Sequence, residues 1–216
     1  MKVITICILV FAVIGLNSCV GVSADISIRA DGSGRIALEY RLSRVLESTG
    51  RLDGNERWPI IPVGRADFER GLARIPDLRL RSFSSKEVRG VNGGTDLVVR
   101  AVLEFKSTAA LLAFLDITGG HASLSRDNGK NLLRLTLLDP SPYAGNDADL
   151  ISLLREISAG YEMHIGLTAP GNAGLAVVPP SVSAARLVSQ GRNVSFTIGM
   201  GELLDLTGGL ALEIAW

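Results

Sequence analysis

The feature that most constrains the fold is a repeated alternation of apolar and polar residues on both sides of short, glycine-containing turns. The first example runs from Ile26 to Leu42 and turns at Asp31-Gly32-Ser33-Gly34. Because successive side chains of a strand point to opposite faces, this period of two predicts strands with one face on a core and one in water. Glycine in the turn allows the positive φ of a tight connection. The chain is therefore expected to fold around antiparallel β-hairpins.

The same pattern recurs three times farther along the chain. Strand pairs are predicted at 78–88 with 97–105, at 122–126 with 133–137, and at 186–188 with 194–200. The middle pair turns at Asn128-Gly129, and Asn-Gly between alternating runs is the strongest short-range hairpin signal. Further strands are expected at 161–167 and 210–216, whereas the Gly- and Pro-rich stretch 170–180 is typical of a loop.

Short helices are predicted between the hairpins. The segment 65–75 carries Phe68 and other apolar residues at helical spacing, and Ser107 is placed to cap a second helix. Additional helices are expected at 147–157 and 202–206. These elements favour the α+β class, with antiparallel β-hairpins forming a twisted sheet or open barrel packed with three to four short helices.

Residues 1–18 have the features of an export signal. Lys2 precedes an almost wholly apolar run from Val3 to Leu16. A helix over that run would span about 21 Å, which is short of the ~30 Å of a hydrocarbon core. A positive start, a short apolar run and a small residue at its end predict a secretory signal peptide that is removed by cleavage.

The segment Leu16-Asn17-Ser18-Cys19 resembles the lipobox of bacterial lipoproteins. The resemblance implies cleavage before Cys19 and acylation of that residue by chains such as palmitate. Residues 19–24 would then form a lipidated tether and residues 25–216 a single α+β domain. Cys7 would leave with the signal, so the mature chain has no partner for an internal disulfide. A structural Cys in an ordinary signal or anchor helix is the alternative.

This N-terminus predicts a location in the cell membrane or outer membrane, where the lipid-anchored chain faces the periplasm or the exterior. The net charge of zero leaves no electrostatic footprint for nucleic acid. Aromatic residues make up 5% of the chain, which argues against surfaces that bind sugars or single strands by stacking. The expected partners are the membrane and, beyond it, a lipid ligand or an envelope protein.

The sequence contains no recognisable catalytic constellation. Its two histidines, His121 and His164, lie in no His-x-x-x-His or Cys–His arrangement. Asp147 and Asp149 lie where they would cap a helix rather than act as paired acid and base. No Gly-x-Ser-x-Gly or phosphate-loop motif is present. We therefore predict a chain that is not an enzyme and that needs neither a cofactor nor a metal.

Two groups of residues are candidates for binding. Arg79, Arg81 and Arg100 would form a basic stripe across paired strands and contact head-group phosphates, unless they belong to an ordinary polar face. Trp58-Pro59-Ile60-Ile61-Pro62 is an apolar segment whose prolines exclude it from a central strand. Trp58, Ile60 and Ile61 would form a lid or contact surface, or a loop that lies over the core.

Taken with the lipobox, the Asp-Ile-Ser-Ile strand at 25–28, the hairpin turn at 31–34 and later strands leading into Leu-Leu helices resemble the LppM-type domain of bacterial envelope lipoproteins. The resemblance implies an exported α+β domain that handles envelope lipids, with no functional residue beyond Cys19. We predict a membrane-anchored, non-catalytic envelope lipoprotein that binds a lipid or other amphiphile. The alternative is a structural or assembly lipoprotein that contacts other envelope proteins.

Overall fold

Eleven strands and three helices make up the regular structure of the described residues in this computed structural model. The described residues are 20–43, 63–90, 93–116, 119–127, 129–139, 155–156, 158–178, 182, 184–206 and 208–216. The strands are β1 (Val20–Ile28), β2 (Gly34–Ser43), β3 (Leu78–Arg89), β4 (Thr95–Phe105), β5 (Ala122–Asp127), β6 (Lys130–Leu138), β7 (Glu162–Thr168), β8 (Gly174–Val178), β9 (Arg186–Gln190), β10 (Asn193–Gly199) and β11 (Leu210–Ala215). The helices are α1 (Arg65–Leu72), α2 (Thr108–Leu115) and α3 (Met200–Leu204).

The described strands form two sheets. The large sheet has the order β3-β4-β2-β1-β7-β10-β9, and the small sheet has the order β5-β6-β11-β8. The four predicted hairpins are confirmed, since β1–β2, β3–β4, β5–β6 and β9–β10 each pair antiparallel. The α+β class is confirmed as well. Two sheets, each bounded by two edge strands, replace the one twisted sheet or open barrel that the hairpin pattern predicts.

The large sheet is mixed rather than purely antiparallel. Strand β1 pairs parallel to β7, from Val22 opposite Met163 to Ser27 opposite Thr168. The prediction of an antiparallel sheet is wrong at this pair because alternation gives the faces of a strand but not the direction of its distant neighbour.

Two local expectations also need correction. The stretch 170–180 contains strand β8, which pairs with β11 at the edge of the small sheet. Residues 20–24, expected to be a tether, belong to β1, where Val20 lies opposite Leu42. The predicted signal and lipidation residue, the apolar segment around Trp58 and most of the expected helix at 147–157 lie outside the described residues.

One apolar cluster joins the inward faces of both sheets and the three helices. Its largest fully buried side chains come from β1, β2, β4, β6, β7, β10, β11, α2 and α3, and they are Phe105, Phe196, Ile26, Ile36, Leu103, Leu111, Leu133, Leu135, Met163, Ile198, Met200 and Leu210. Helix α1 joins the cluster through Phe68, whose ring centroid lies 6.4 Å from that of Tyr40 and 5.5 Å from that of Phe83. Burial, together with the negative charge of Asp67, raises the pKa of Tyr40.

Helix α2 carries the chain from the large sheet to the small one. Its predicted cap is confirmed, because the Ser107 hydroxyl oxygen accepts a hydrogen bond from the Ala110 N–H at 3.2 Å. At the other end, the Asp116 carboxylate accepts N–H bonds from His121 and Ala122 at 2.6 and 3.1 Å. Burial alone would raise the pKa of Asp116, and these backbone bonds outweigh it and hold that pKa below its ordinary value. The bonds to Asp116 fix where β5 begins.

The register of the large sheet sets its outward-pointing side chains in rows that run across the strands. One row holds Arg79 on β3, Glu104 on β4, Arg35 on β2 and Ser27 on β1. Four residues away along each strand, a second row holds Arg100 on β4, Glu39 on β2, Ser23 on β1, His164 on β7 and Thr197 on β10. These two rows contain the charged and hydrogen-bonding side chains from which the candidate site on the outer face is built.

Candidate functional site

Arg79, Arg81 and Arg100 all lie on the outer face of the large sheet and are exposed. Arg81 is the extra residue of a β-bulge between Leu80 and Ser82, so two residues of β3 oppose one of β4 there. The bulge places Arg81 next to Arg79 instead of opposite a residue of its own.

Glu104 brings Arg79 and Arg81 together. Arg79 donates two hydrogen bonds to Glu104 Oε2, from Nε at 3.0 Å and from Nη2 at 2.6 Å. Arg81 Nε lies 3.8 Å from Glu104 Oε1, which is an ion pair without a hydrogen bond. The prediction that Arg79 and Arg81 share one part of the surface agrees with this arrangement.

Two further arginines lie at the same end of the sheet as Glu104. Arg35 lies directly opposite Glu104 in the β2–β4 register, and Arg29 follows the end of β1 and acts on Glu104 through its charge. We call Arg29, Arg35, Arg79 and Arg81 the arginine cluster. The hydrogen bond from Arg79 is the main cause that holds the pKa of Glu104 below its ordinary value; slight desolvation opposes it, and the charges of Arg79, Arg81 and Arg29 reinforce it. The charge of Arg29 also acts on Asp31, so the four arginines lie with two carboxylates, Glu104 and Asp31, and keep a positive surplus.

Arg100 belongs to a separate network. Its Nε donates to Glu39 Oε2 at 2.6 Å, and Arg41 Nε donates to Glu39 Oε1 at 3.3 Å. Four residues along β4 separate Arg100 from Glu104, about 13 Å at the usual rise of a strand. Burial alone would raise the pKa of Glu39, and the hydrogen bond and charge of Arg100, helped by Arg41, hold it below its ordinary value. The structure therefore divides the predicted stripe of three arginines in two.

A cleft occupies the outer face near the start of β7. One cavity of about 220 Å³ is lined by residues that include Glu39, Arg41, Tyr161 and His164. A neighbouring cavity of about 500 Å³ shares Tyr161 and extends past Arg186. Both cavities are open to the surface and polar in part, unlike the apolar interior between the sheets.

His164 lies in this cleft and links three strands. Its Nδ1 is 2.9 Å from the Thr197 hydroxyl oxygen on β10, and its Nε2 is 3.5 Å from Asp25 Oδ1 on β1. Gly166 makes room for this contact, because a Cβ there would lie 2.3 Å from Asp25 Oδ1. The second histidine, His121, has its Nε2 4.0 Å from Asp139 Oδ2 near the small sheet. Within the part of the chain that the structure describes, no group of three or more His, Cys, Asp or Glu side chains could hold a metal.

A buried polar pair lies beside the cleft. Tyr161 donates its hydroxyl proton to Asp96 Oδ1 at 2.8 Å, and both residues are buried. The other carboxylate oxygen, Asp96 Oδ2, has no hydrogen-bond partner among the described residues. Sequence reasoning did not single out this pair, since 65 residues separate its members.

Arg29 and Arg35 were likewise not among the binding residues that the sequence predicted. They flank the predicted turn at 31–34, and the only signal that could have identified them is this flanking position. Their proximity to Glu104 depends on the pairing of β2 with β4, which joins segments about seventy residues apart. No local pattern encodes that pairing.

No protein-family model and no curated protein sequence matches the chain. A search of solved structures finds the N-terminal periplasmic domain of ScsB from Proteus mirabilis, with 12% sequence identity, coverage of 84% of this chain and 79% of that chain, and a TM-score of 0.21. A similarity at that TM-score carries no argument about fold or function. Across the described ranges, no helix combines the length and the apolar character needed to cross a membrane.

Proposed function

We propose that the chain is a membrane-anchored, non-catalytic binding module of the bacterial envelope, which binds an amphiphile through its anionic head group. The observation that carries this proposal is the arginine cluster on an exposed sheet face, in which Arg79 and Arg81 contact Glu104, Arg29 acts on it through its charge, and Arg35 lies opposite it in the strand register. Arginine matches the geometry of phosphate through paired N–H donors. Each basic residue close to an anionic membrane surface contributes about 1 kcal/mol.

Among the described residues, the buried apolar side chains between the two sheets favour recognition at the surface over enclosure of the whole ligand. Large side chains such as Leu103, Phe105 and Phe196 occupy the space between the two sheets and are almost completely buried. Interiors of this kind are filled to the density of organic crystals. We therefore assign the head group to the arginine cluster and leave the acyl chains of the ligand in their own lipid layer.

Anchoring through Cys19 is tested by replacing its sulfur. Cys19→Ser should give an unlipidated chain that leaves the membrane fraction without detergent, because the anchoring acyl chains are then missing. The measurement is fractionation of cells that express either form. If the Cys19→Ser chain stayed in the membrane fraction even in high salt, which screens the attraction between arginines and head groups, the lipid anchor would be wrong while the arginine cluster would remain to be tested separately.

Head-group binding is tested with the mature Cys19→Ser chain and two sets of vesicles, one zwitterionic and one containing an anionic phospholipid. We expect co-sedimentation with the anionic vesicles only, which weakens as salt is added because ions screen the attraction. The double variant Arg79→Gln, Arg81→Gln should bind about 30-fold more weakly, given roughly 1 kcal/mol for each arginine.

The matched control removes the same charge elsewhere. Arg126 on β5 and Lys130 on β6 are both exposed and lie outside the arginine cluster. The variant Arg126→Gln, Lys130→Gln should bind like the parent chain. Equal losses of vesicle binding in the two double variants would mean that only net charge matters. That result would reject the cluster as a site.

A second candidate function is that of an assembly lipoprotein that contacts another envelope protein. Its support is the edge strand β9, where Leu187 and Val188 are 48% and 39% exposed. Exposed apolar residues on an edge strand are typical of surfaces that other chains contact. Crosslinking in cells should then recover one stoichiometric partner, and Leu187→Ser with Val188→Ser should abolish the adduct. An unchanged crosslinking pattern in that variant would reject this surface.

A further inference from the structure

Glu104 occupies the donors of Arg79 that a head-group phosphate needs. Arg79 donates from both Nε and Nη2 to Glu104 Oε2, at 3.0 and 2.6 Å. These two N–H groups form an edge of the guanidinium group that binds carboxylates and phosphates in a bidentate, fork-like geometry. A carboxylate of the protein itself therefore takes the position of a bound anion on Arg79.

The other arginines of the cluster are not held in this way. Arg81 Nε lies 3.8 Å from Glu104 Oε1, which is too far for a hydrogen bond. Arg35 lies opposite Glu104 in the register of β2 and β4, and Arg29 acts on Glu104 through its charge. Among the described residues, Arg79 is thus the member of the cluster whose donors are given to a carboxylate.

The second carboxylate near the cluster, Asp31, has different hydrogen-bond partners. Asp31 Oδ1 accepts hydrogen bonds from the backbone N–H and the hydroxyl group of Ser33, at 2.9 and 2.7 Å. These bonds lie within the turn between β1 and β2, and the charge of Arg29 acts on Asp31 from nearby. Glu104, rather than Asp31, is therefore the carboxylate that competes for arginine donors with an incoming phosphate.

We propose that Glu104 is an internal competitor of the ligand, which holds Arg79 in the free chain and is replaced on the same two donors by a bound head-group phosphate. The inference rests on the proposed function, because it describes how the arginine cluster takes up its anion. The side chains of Arg79 and Glu104 are 67% and 36% exposed. An ion pair at that exposure is weak, so an anion of a lipid surface can displace the carboxylate.

The test measures co-sedimentation of the mature Cys19→Ser chain with phosphatidylglycerol vesicles. Glu104→Gln should tighten binding by more than about tenfold, because it adds one unit of net positive charge, worth about fivefold near an anionic surface, and also frees the donors of Arg79. Arg79→Lys keeps the charge but lacks the fork of donors. In an Arg79→Lys background, Glu104→Gln should therefore tighten binding by about fivefold, the effect of charge alone.

The matched control is the cross-strand ion pair of the small sheet. Glu213 on β11 accepts a hydrogen bond from Arg134 Nη1 on β6 at 2.7 Å. Glu213→Gln changes the net charge by the same amount on the other sheet, and it should bind like the parent chain. Free glycerol phosphate at the same phosphate concentration should leave vesicle binding intact, because one phosphate cannot replace a multivalent surface.

The outcomes separate this inference from the proposed function. If the parent chain bound the vesicles but Glu104→Gln tightened binding equally beside Arg79 and in the Arg79→Lys background, Glu104 would act by charge alone. That result would overturn the inference and leave head-group binding intact, as would equal effects of Glu104→Gln and Glu213→Gln. Failure of the parent chain to bind, or its displacement by glycerol phosphate, would reject the proposed function and the inference together.

Discussion

The two faces of the large sheet are made by the same strands but differ in burial and polarity. On β10, Val194, Phe196 and Ile198 point inward and are buried, whereas Ser195 and Thr197 point outward and are partly exposed. The inner face removes apolar surface from water, which is the main source of stability. The outer face holds its charges in pairs that contribute little to stability and leave cations available for ligands. Neighbouring residues in the sequence should therefore respond to substitution in opposite ways.

The largest expected effect is on the inner face of β10. Phe196→Ala removes a ring that is fully buried and should lower the free energy of unfolding by about 3–5 kcal/mol. Ser195→Ala, one residue away on the outer face, should change it by less than about 0.5 kcal/mol. Urea unfolding of the mature Cys19→Ser chain measures both. Similar losses in the free energy of unfolding of the two variants would contradict the distinction between the faces.

Two glycines of the sheet differ in what a side chain would meet there. A Cβ at Gly34 would lie 1.9 Å from the backbone carbonyl oxygen of Ser27 and 2.5 Å from the Phe105 ring. Gly34→Ala should cost about 1–3 kcal/mol or more, because backbone and ring have to move. A Cβ at Gly166 meets mainly the Asp25 carboxylate, the end of a movable side chain. Gly166→Ala should therefore cost less, and a thermal scan that ranked the two variants in reverse order would contradict this account.

The distinction between the faces is also the part of the fold that the sequence predicts best. Alternation identified the inward residues of β1, β2, β4 and β10 correctly, because the period of two follows directly from strand geometry. Pairing within hairpins followed as well, since their turns lie between the paired strands. Strand β8 was missed because the Gly and Pro content of 170–180 outweighed the short alternation of Leu175 and Val177.

Pairings between distant segments could not be predicted. The parallel β1–β7 pair joins segments about 140 residues apart, and any strand with one apolar face would satisfy the same pattern. The candidate site depends on such pairings. Arg79 and Arg81 were identified as neighbours within one strand, but Arg29 and Arg35 join them only through the β2–β4 register. Arg100 was grouped with them because the sequence does not show that Glu39 lies beside it.

Asp96 departs from the rule of faces, since it lies on the outward side of β4 yet is buried, as is Val98 on the same side. Tyr161→Phe removes the hydroxyl that donates to it and should lower the free energy of unfolding by about 1–3 kcal/mol, the cost of a buried acceptor without its donor. A double-mutant cycle with Asp96→Asn, followed by urea unfolding, isolates the pair. Additive losses would show that the two side chains do not act together.

The smallest expected effect is the pH dependence that the outer face confers. In the folded chain, the pKa values of Glu39 and Glu104 lie below their ordinary value of 4.5. Near that pH the unfolded chain therefore binds more protons than the folded chain. The stabilisation from both carboxylates is complete well above pH 4.5 and is lost as the pH falls through the folded-state pKa values.

This sign predicts that the urea midpoint declines from neutral pH toward and below pH 4.5, and that Glu39→Gln makes the decline shallower. Arg100→Gln should act in the same direction, because it removes the donor and the charge that lower the pKa of Glu39. The two substitutions made together should do no more than Glu39→Gln alone, since both act through one carboxylate. An unchanged slope in Glu39→Gln would mean that the outer-face network does not couple to folding, and that the pH dependence of stability arises elsewhere in the molecule.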